Sequence, residues 1–305
     1  MKKKIIITVF FSLFLAFAGI TFFIKNATPV QLVYMVDSKY VPYMTVSLYS
    51  AIKNKNKFSR YNVHIIADNL SREEQEEIKK LEDETIKISF YPTRKLDLDF
   101  SHLGRFASFK TALQKLFIAE YLSNIDKVLY IDADTLVQSD LSEVYNMPLR
   151  GYYVAAVKDG LMYQFPEHIR EINLEWRKFY FNSGIMLLNL NKIREDKVMD
   201  EAVRYFHTNY EVFGDQDVLN VVFGDKVQKL SYRYNCNSTF FEEKSAKFLS
   251  NFYDEPIPNN TREVYENAVI LHFAGHKPWT IWFNHSYLKP LWQSYEKETQ
   301  KRLHK

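Results

Sequence analysis

Short apolar runs alternate with stretches patterned for helices along most of this 305-residue chain. The runs at 31–36, 63–67, 86–91, 127–131, 152–157, 185–190 and 269–273 have the length and the Val, Ile and aromatic content of strands. Their hydrophobicity is continuous rather than alternating, which predicts strands buried on both faces. Between them, Ser71 and Glu74 have the spacing of a capping box opening a charged helix to about residue 81. Residues 111–122 carry apolar positions at helical spacing, and another helix starts near Asp215. Strand alternating with helix predicts an α/β fold, a mostly parallel sheet with helices on both faces. Such sheets bind ligands beyond the carboxyl ends of their strands, so the residues just past the strands are where chemistry is expected.

One run is of a different kind. Lys2, Lys3 and Lys4 precede residues 5–24, which are apolar apart from Thr8, Ser12 and Thr21. Twenty residues at ~1.5 Å each span about 30 Å, the thickness of a bilayer core. The three lysines before the run and only Lys25 just after it predict an N-inside anchor in residues 1–25. Ala16-Phe17-Ala18 has the form of a signal cleavage site, but Ile20, Phe22, Phe23 and Ile24 prolong the apolar run past it. No Pro/Gly/Ser linker and no repeat interrupts the chain beyond residue 25, so 26–288 reads as one domain and 289–305 as a basic tail.

Composition narrows the classes. Forty Lys plus Arg against thirty-seven Asp plus Glu leave a net charge of +3, too little to indicate nucleic acid as a partner. The single cysteine, Cys236, excludes an internal disulfide and a multi-cysteine zinc site.

The strand at 127–131 ends in Asp132-Ala133-Asp134-Thr135. Residues i and i+2 of an extended chain point the same way, so both acids can reach one cation. Hard oxygen donors suit Mg²⁺ or Mn²⁺ held together with the phosphates of a substrate. Two chemistries share the pattern. A haloacid-dehalogenase-like phosphatase uses the first Asp as nucleophile, and a nucleotide-sugar transferase uses both acids to hold a metal. Near the other end, Ile270-Leu-His272-Phe-Ala-Gly275-His-Lys277-Pro-Trp279 sets an imidazole directly after a strand, followed by a Gly and a Lys suited to a phosphate. Phe181-Asn182-Ser183-Gly184 and Phe213-Gly214-Asp215-Gln216-Asp217 add amides and carboxylates suited to sugar hydroxyls. Asn-Ser-Gly is equally a good turn, and Asp215 equally a helix cap.

These motifs, in this order, resemble the family 8 retaining glycosyltransferases over about residues 31–279. The resemblance implies a GT-A-like domain that transfers a hexose from a UDP-sugar to a glycan or glycolipid acceptor. It implies Mn²⁺, with Mg²⁺ as the alternative, on Asp132, Asp134 and His272. By the same resemblance Asp37 and Tyr40 hold uracil, Gly275 and Lys277 contact the diphosphate, and Ala133 lies in the donor site with the two acids that flank it. Asn182, Asp215 and Gln216 line the donor sugar, with Asp215 and Gln216 at the catalytic positions. Lys115 stands where the family usually has an arginine, Lys39 where an asparagine is common, and the spacing from His272 to Lys277 is one residue shorter than usual. His276 is a second candidate for the role of Lys277.

Breaking a sugar–phosphate bond builds negative charge on the leaving UDP and positive charge on the sugar. A cation with Lys277 answers the first, and Asp215 with the carbonyl of Gln216 the second. Front-face attack and a covalent intermediate both fit these residues. A non-catalytic sugar-binding module is the third reading, although it needs no pair of acids with a histidine. Residues 160–180 and 240–258 are the least patterned and are expected to shape the acceptor side. The tail suits a solvated helix, the favoured reading, or a helix lying on anionic lipid. Five N-x-Ser/Thr sites lean toward a secretory lumen, whereas bacterial nucleotide sugars are cytoplasmic, so a membrane location is expected without a side.

Overall fold

The computed structural model describes residues 28–94, 110–160, 165–172, 174, 179–209 and 214–304. Its strands are β1 (Val30–Asp37), β2 (Tyr61–Asp68), β3 (Ile86–Pro92), β4 (Lys127–Ile131), β5 (Thr135–Val137), β6 (Val154–Lys158), β7 (Phe181–Asn189), β8 (Val227–Lys229), β9 (Cys236–Asn237) and β10 (Ile270–His272). Its principal helices are α1 (Val41–Asn54), α2 (Arg72–Lys79), α3 (Val198–Thr208), α4 (Gly214–Phe223) and α5 (Leu288–Leu303).

Seven strands form one sheet in the order β3-β2-β1-β4-β7-β6-β8. Only β7 runs against its neighbours, pairing antiparallel with β4 and β6, while every other pair is parallel. The sheet is therefore mostly parallel, as the alternation of elements predicts. A second, three-stranded sheet has the order β5-β10-β9.

Side-chain alternation divides the core in two. Leu32, Tyr34 and Val36 of β1 enter one apolar cluster, and Val33 and Met35 the other. Leu129 and Ile131 part in the same way from Val128 and Tyr130 on β4. Both faces are covered, which is why these strands read as unbroken apolar runs. The exception is β3, where Ile86 and Ile88 are buried while Lys87 and Ser89 are exposed, because it is an edge strand.

The capping box on α2 is present, with Ser71 Oγ accepting from Glu74 N and Ser71 N donating to the Glu74 carboxylate. The helix expected at 111–122 is instead broken into Lys110–Leu113, a 3₁₀ turn at Gln114–Phe117, and Ile118–Tyr121. Two polar side chains, Gln114 and Lys115, are drawn inward there, and the regular helical period yields to their partners. The segment read as a basic tail is α5, which docks on α1. Lys53 Nζ lies 2.7 Å from a Glu298 carboxylate oxygen, and Asn54 Nδ2 donates to Tyr295 Oη at 2.7 Å. Among the described residues no helix is long and apolar enough to cross a membrane. The expected anchor at 5–24 lies outside them.

Candidate active site

The turn after β4 is pinned from three sides. Asp132 N donates to Gly184 O on β7, and Phe273 N, just beyond β10, donates to Asp134 O. Thr135 Oγ1 donates to Asp132 O at 3.0 Å and shares a 2.7 Å hydrogen bond with Ser47 Oγ on α1. Because β5 pairs antiparallel with β10, His272 stands opposite Thr135 and faces the acids. One donor atom each of Asp132, Asp134 and His272 falls within 4.8 Å of the others. His272 Nε2 is 3.4 Å from Asp134 Oδ1 and 3.8 Å from Asp132 Oδ2. Its Nδ1 is 2.9 Å from Asn235 Oδ1, which only accepts, so Nδ1 donates there and Nε2 is the ring atom turned to the acids.

Two lysines balance the acids. Lys277 Nζ forms an ion pair with Asp134 Oδ2 and donates to Phe273 O at 3.1 Å. Lys115 is buried with Nζ 3.3 Å from Asp132 Oδ1 and 3.0 Å from Asp215 Oδ2, so it bridges the two carboxylates. Burial works against its charge, but the two carboxylates outweigh burial and hold its pKa above the ordinary lysine value. Burial likewise raises Asp134, yet His272 and Lys277 outweigh it and hold this carboxyl far below the usual range. At Asp132 burial wins over the attraction of Lys115, and its pKa is raised. Tyr130 Oη donates to Asp132 Oδ1 at 2.5 Å.

A second cluster lies beside the first. Ser183 Oγ donates to Asp215 Oδ2 at 2.8 Å, and Ser183 N donates to Gln216 Oε1 at 3.0 Å. Gln216 Nε2 is 3.2 Å from both Asp159 Oδ2 and Tyr180 Oη. Asn182 Nδ2 donates to Asp159 Oδ2 at 2.6 Å, while its Oδ1 accepts from Gly184 N and from Asn235 Nδ2. The Phe181-Asn-Ser-Gly segment is not a turn but the start of β7.

The remaining expected residues surround these. Asp37 Oδ1 accepts from Lys39 N and Tyr40 N at 3.0 and 3.1 Å, closing the turn into α1. Tyr40 is partly exposed and meets Trp279 edge to face, and Tyr43 stacks on Trp279 at 3.7 Å between centroids. Ala133 is buried. Gly275 has φ +94°, a conformation that favours glycine, and His276 is exposed. Sequence reasoning gave no role to Asp159, Tyr180 or Asn235, and quoted Gly184 only within the Asn-Ser-Gly motif. Asp159 carried the same signal as Asp132, an acid just past a buried strand, whereas Asn235 carried none.

A model of glycosyl transferase family 8 matches residues 31–283. The chain belongs to that family. This glycosyltransferase is 31% identical over 220 residues to a Haemophilus influenzae relative, spanning 68% of its own length and 64% of that protein. It is 27% identical over 293 residues to a lipopolysaccharide 1,2-glucosyltransferase of Escherichia coli, covering 88% of this chain and 82% of that one. Its fold matches the galactosyltransferase LgtC, solved with donor and acceptor sugar analogues, at TM-score 0.69 and 21% identity over 88% of this chain and 96% of the other. The phosphatase and sugar-binding-module readings fall with the family membership. Two carboxylates and an oriented imidazole are a donor set that fits a hard divalent cation.

Proposed function

We propose that this glycosyltransferase moves glucose or galactose from a UDP-sugar to a glycan or glycolipid acceptor, with retention at the anomeric carbon and with the help of Mn²⁺ or Mg²⁺. The observation that carries this reading is the meeting of Asp132, Asp134 and His272 beside Lys277, at the carboxyl end of β4. Asp132, Asp134 and His272 would hold the cation, which would supply positive charge against the diphosphate of the leaving UDP.

The side chains do the rest. Lys277 spends two of its three N–H donors on Asp134 and Phe273 O, which leaves one for a phosphate oxygen. Asp37 and Tyr40 border the uracil side, and Gly275 lets the backbone approach the phosphates. Asn182, Asp215 and Gln216 border the sugar. Lys115 bridges Asp215 and Asp132, which holds the Asp215 carboxyl group beside the place where the sugar becomes cationic. The name of the Escherichia coli relative supports a lipopolysaccharide-like acceptor. The apolar run at 5–24 serves as a single-pass anchor that keeps the enzyme at the membrane where such an acceptor lies.

Full-length protein in detergent, given a panel of UDP-sugars with and without Mn²⁺, tests the reading by UDP release. The expected result is metal-dependent release from one donor, lost in Asp134→Ala. Phosphate release from a generic phosphatase substrate, with no UDP-sugar turned over and no UDP bound, would overturn it.

A further inference from the structure

Behind the donor-sugar residues lies a buried polar chain that the proposed chemistry does not use. Asp217, one residue past Gln216 on α4, is fully buried. His168 Nε2 is 2.8 Å from its Oδ2, and Tyr180 Oη donates to its Oδ1. Tyr180 packs with Ile169, Ile172 and Leu174, so its ring has an apolar reason to be there while its hydroxyl does not. We infer that His168, Asp217 and Tyr180 form a positioning chain that fixes which way the Gln216 carboxamide points. The inference rests on the proposed role of Gln216 beside the donor sugar.

Donor and acceptor counting carries the argument. The Tyr180 hydroxyl donates to Asp217 Oδ1, which commits its single proton to that hydrogen bond. Burial and the Asp217 charge keep that phenol protonated, far above the ordinary tyrosine range. With its proton committed, Tyr180 Oη can only accept from Gln216, and it therefore demands the NH₂ end of the amide. Asp159 Oδ2 demands the same end, and Ser183 N demands the oxygen. Three neighbours thus agree on one of two orientations about a torsion that is otherwise roughly two-fold. Asp159 and Ser183 are buried as well and hold the same carboxamide. Tyr180 is buried with them, and Asp217 is what gives it its polarity. His168 joins this chain to the helix Pro166–Glu171, on the side expected to face the acceptor.

The test is kinetic and spectroscopic. Tyr180→Phe keeps the ring and removes the hydroxyl. The expected outcome is a kcat for UDP-sugar about 10- to 100-fold lower, with donor KM and UDP affinity within about threefold, since misorientation taxes the reacting geometry more than binding. His168→Leu moves kcat in the same direction, and His168→Gln, which still offers an N–H to Asp217, recovers it. A merely structural role would lower the melting temperature without splitting kcat from KM. In parallel, the side-chain amide signals of Gln216 in a ¹⁵N spectrum, identified by their loss in Gln216→Glu, exchange with solvent at least about tenfold faster in Tyr180→Phe. A Tyr180→Phe enzyme with wild-type kcat overturns the inference. If the wild type turns over no UDP-sugar, the proposed function fails, and unaltered Gln216 exchange then overturns the inference by itself.

Discussion

Gly184 holds the candidate metal ligands together by having no side chain. A Cβ there would lie 2.3 Å from His272 Cε1 and 2.8 Å from Asp132 Oδ2, so His272 and Asp132 can approach β7 only because residue 184 is glycine. Gly184→Ala is expected to leave the fold intact and to weaken Mn²⁺ binding at least about tenfold. Titration of the full-length protein with Mn²⁺ reads this directly, and wild-type affinity would refute it. The need for glycine was invisible in the sequence, where Asn-Ser-Gly is as good a turn as it is a strand. His64 was equally silent. It is buried in β2 between Gln31 Oε1 at 2.9 Å and Tyr91 Oη at 3.1 Å, and burial pushes its pKa down from 6.5 to about 4. Between those values the unfolded chain binds a proton that the folded chain refuses. Stability is therefore full above pH 6.5 and falls as the pH drops toward 4, by on the order of 3 kcal/mol from this residue. Urea denaturation across that window, compared with His64→Gln, checks the sign. A wild-type curve no steeper than that of the variant would contradict it.

Elements were legible in proportion to their length and their patterning. The five-residue run at β4 coincides with its reading because all but its first residue are buried on one face or the other. By contrast β5, β8 and β9 have three, three and two residues, too few for any period to register. That omission matters at the site, since it is β5 against β10 that turns His272 toward the acids. Residues at or just past the ends of β1 and β4, namely Asp37, Asp132 and Asp134, could be found from sequence. Asn235 and Tyr180 could not, because their roles depend on strands distant in the chain. The capping box of α2 was legible because it is wholly local. Its two reciprocal hydrogen bonds at Ser71 and Glu74 sit on a largely exposed helix that buries only Ile78. With so little packing to compensate, Ser71→Ala is expected to cost about 1 kcal/mol. A lower urea midpoint with an unchanged slope is the corresponding observation, and no shift in midpoint would show that the cap does not matter.

Across the whole molecule the surprise is that the last helix supports the first chemistry. Read from sequence, residues 289–305 are a basic stretch, a solvated helix or one suited to a lipid surface. In the fold, α5 places Trp292 in the core, edge to face with Phe273 at 5.4 Å and against Trp279 at 5.1 Å. Phe273 is the residue after His272, and its backbone N–H holds Asp134 O, so α5 props the strand end that carries the imidazole. The indole Nε1 of Trp292 has no acceptor among the described residues, so the ring is there for its volume and not for its polarity. Two substitutions separate these properties. Trp292→Ala opens a cavity and is expected to destabilise by about 3–5 kcal/mol. Because the void lies beneath Phe273, metal affinity falls with it. Trp292→Phe loses part of the volume but also relieves a buried N–H of its missing partner, two effects of opposite sign. It is therefore expected to stay within about 1.5 kcal/mol of wild type and to retain Mn²⁺ binding. Parallel denaturation and Mn²⁺ titration of the two variants decide the matter. Equal losses in both would mean that the indole nitrogen is engaged after all, and an unaffected metal site in Trp292→Ala would uncouple α5 from the active centre.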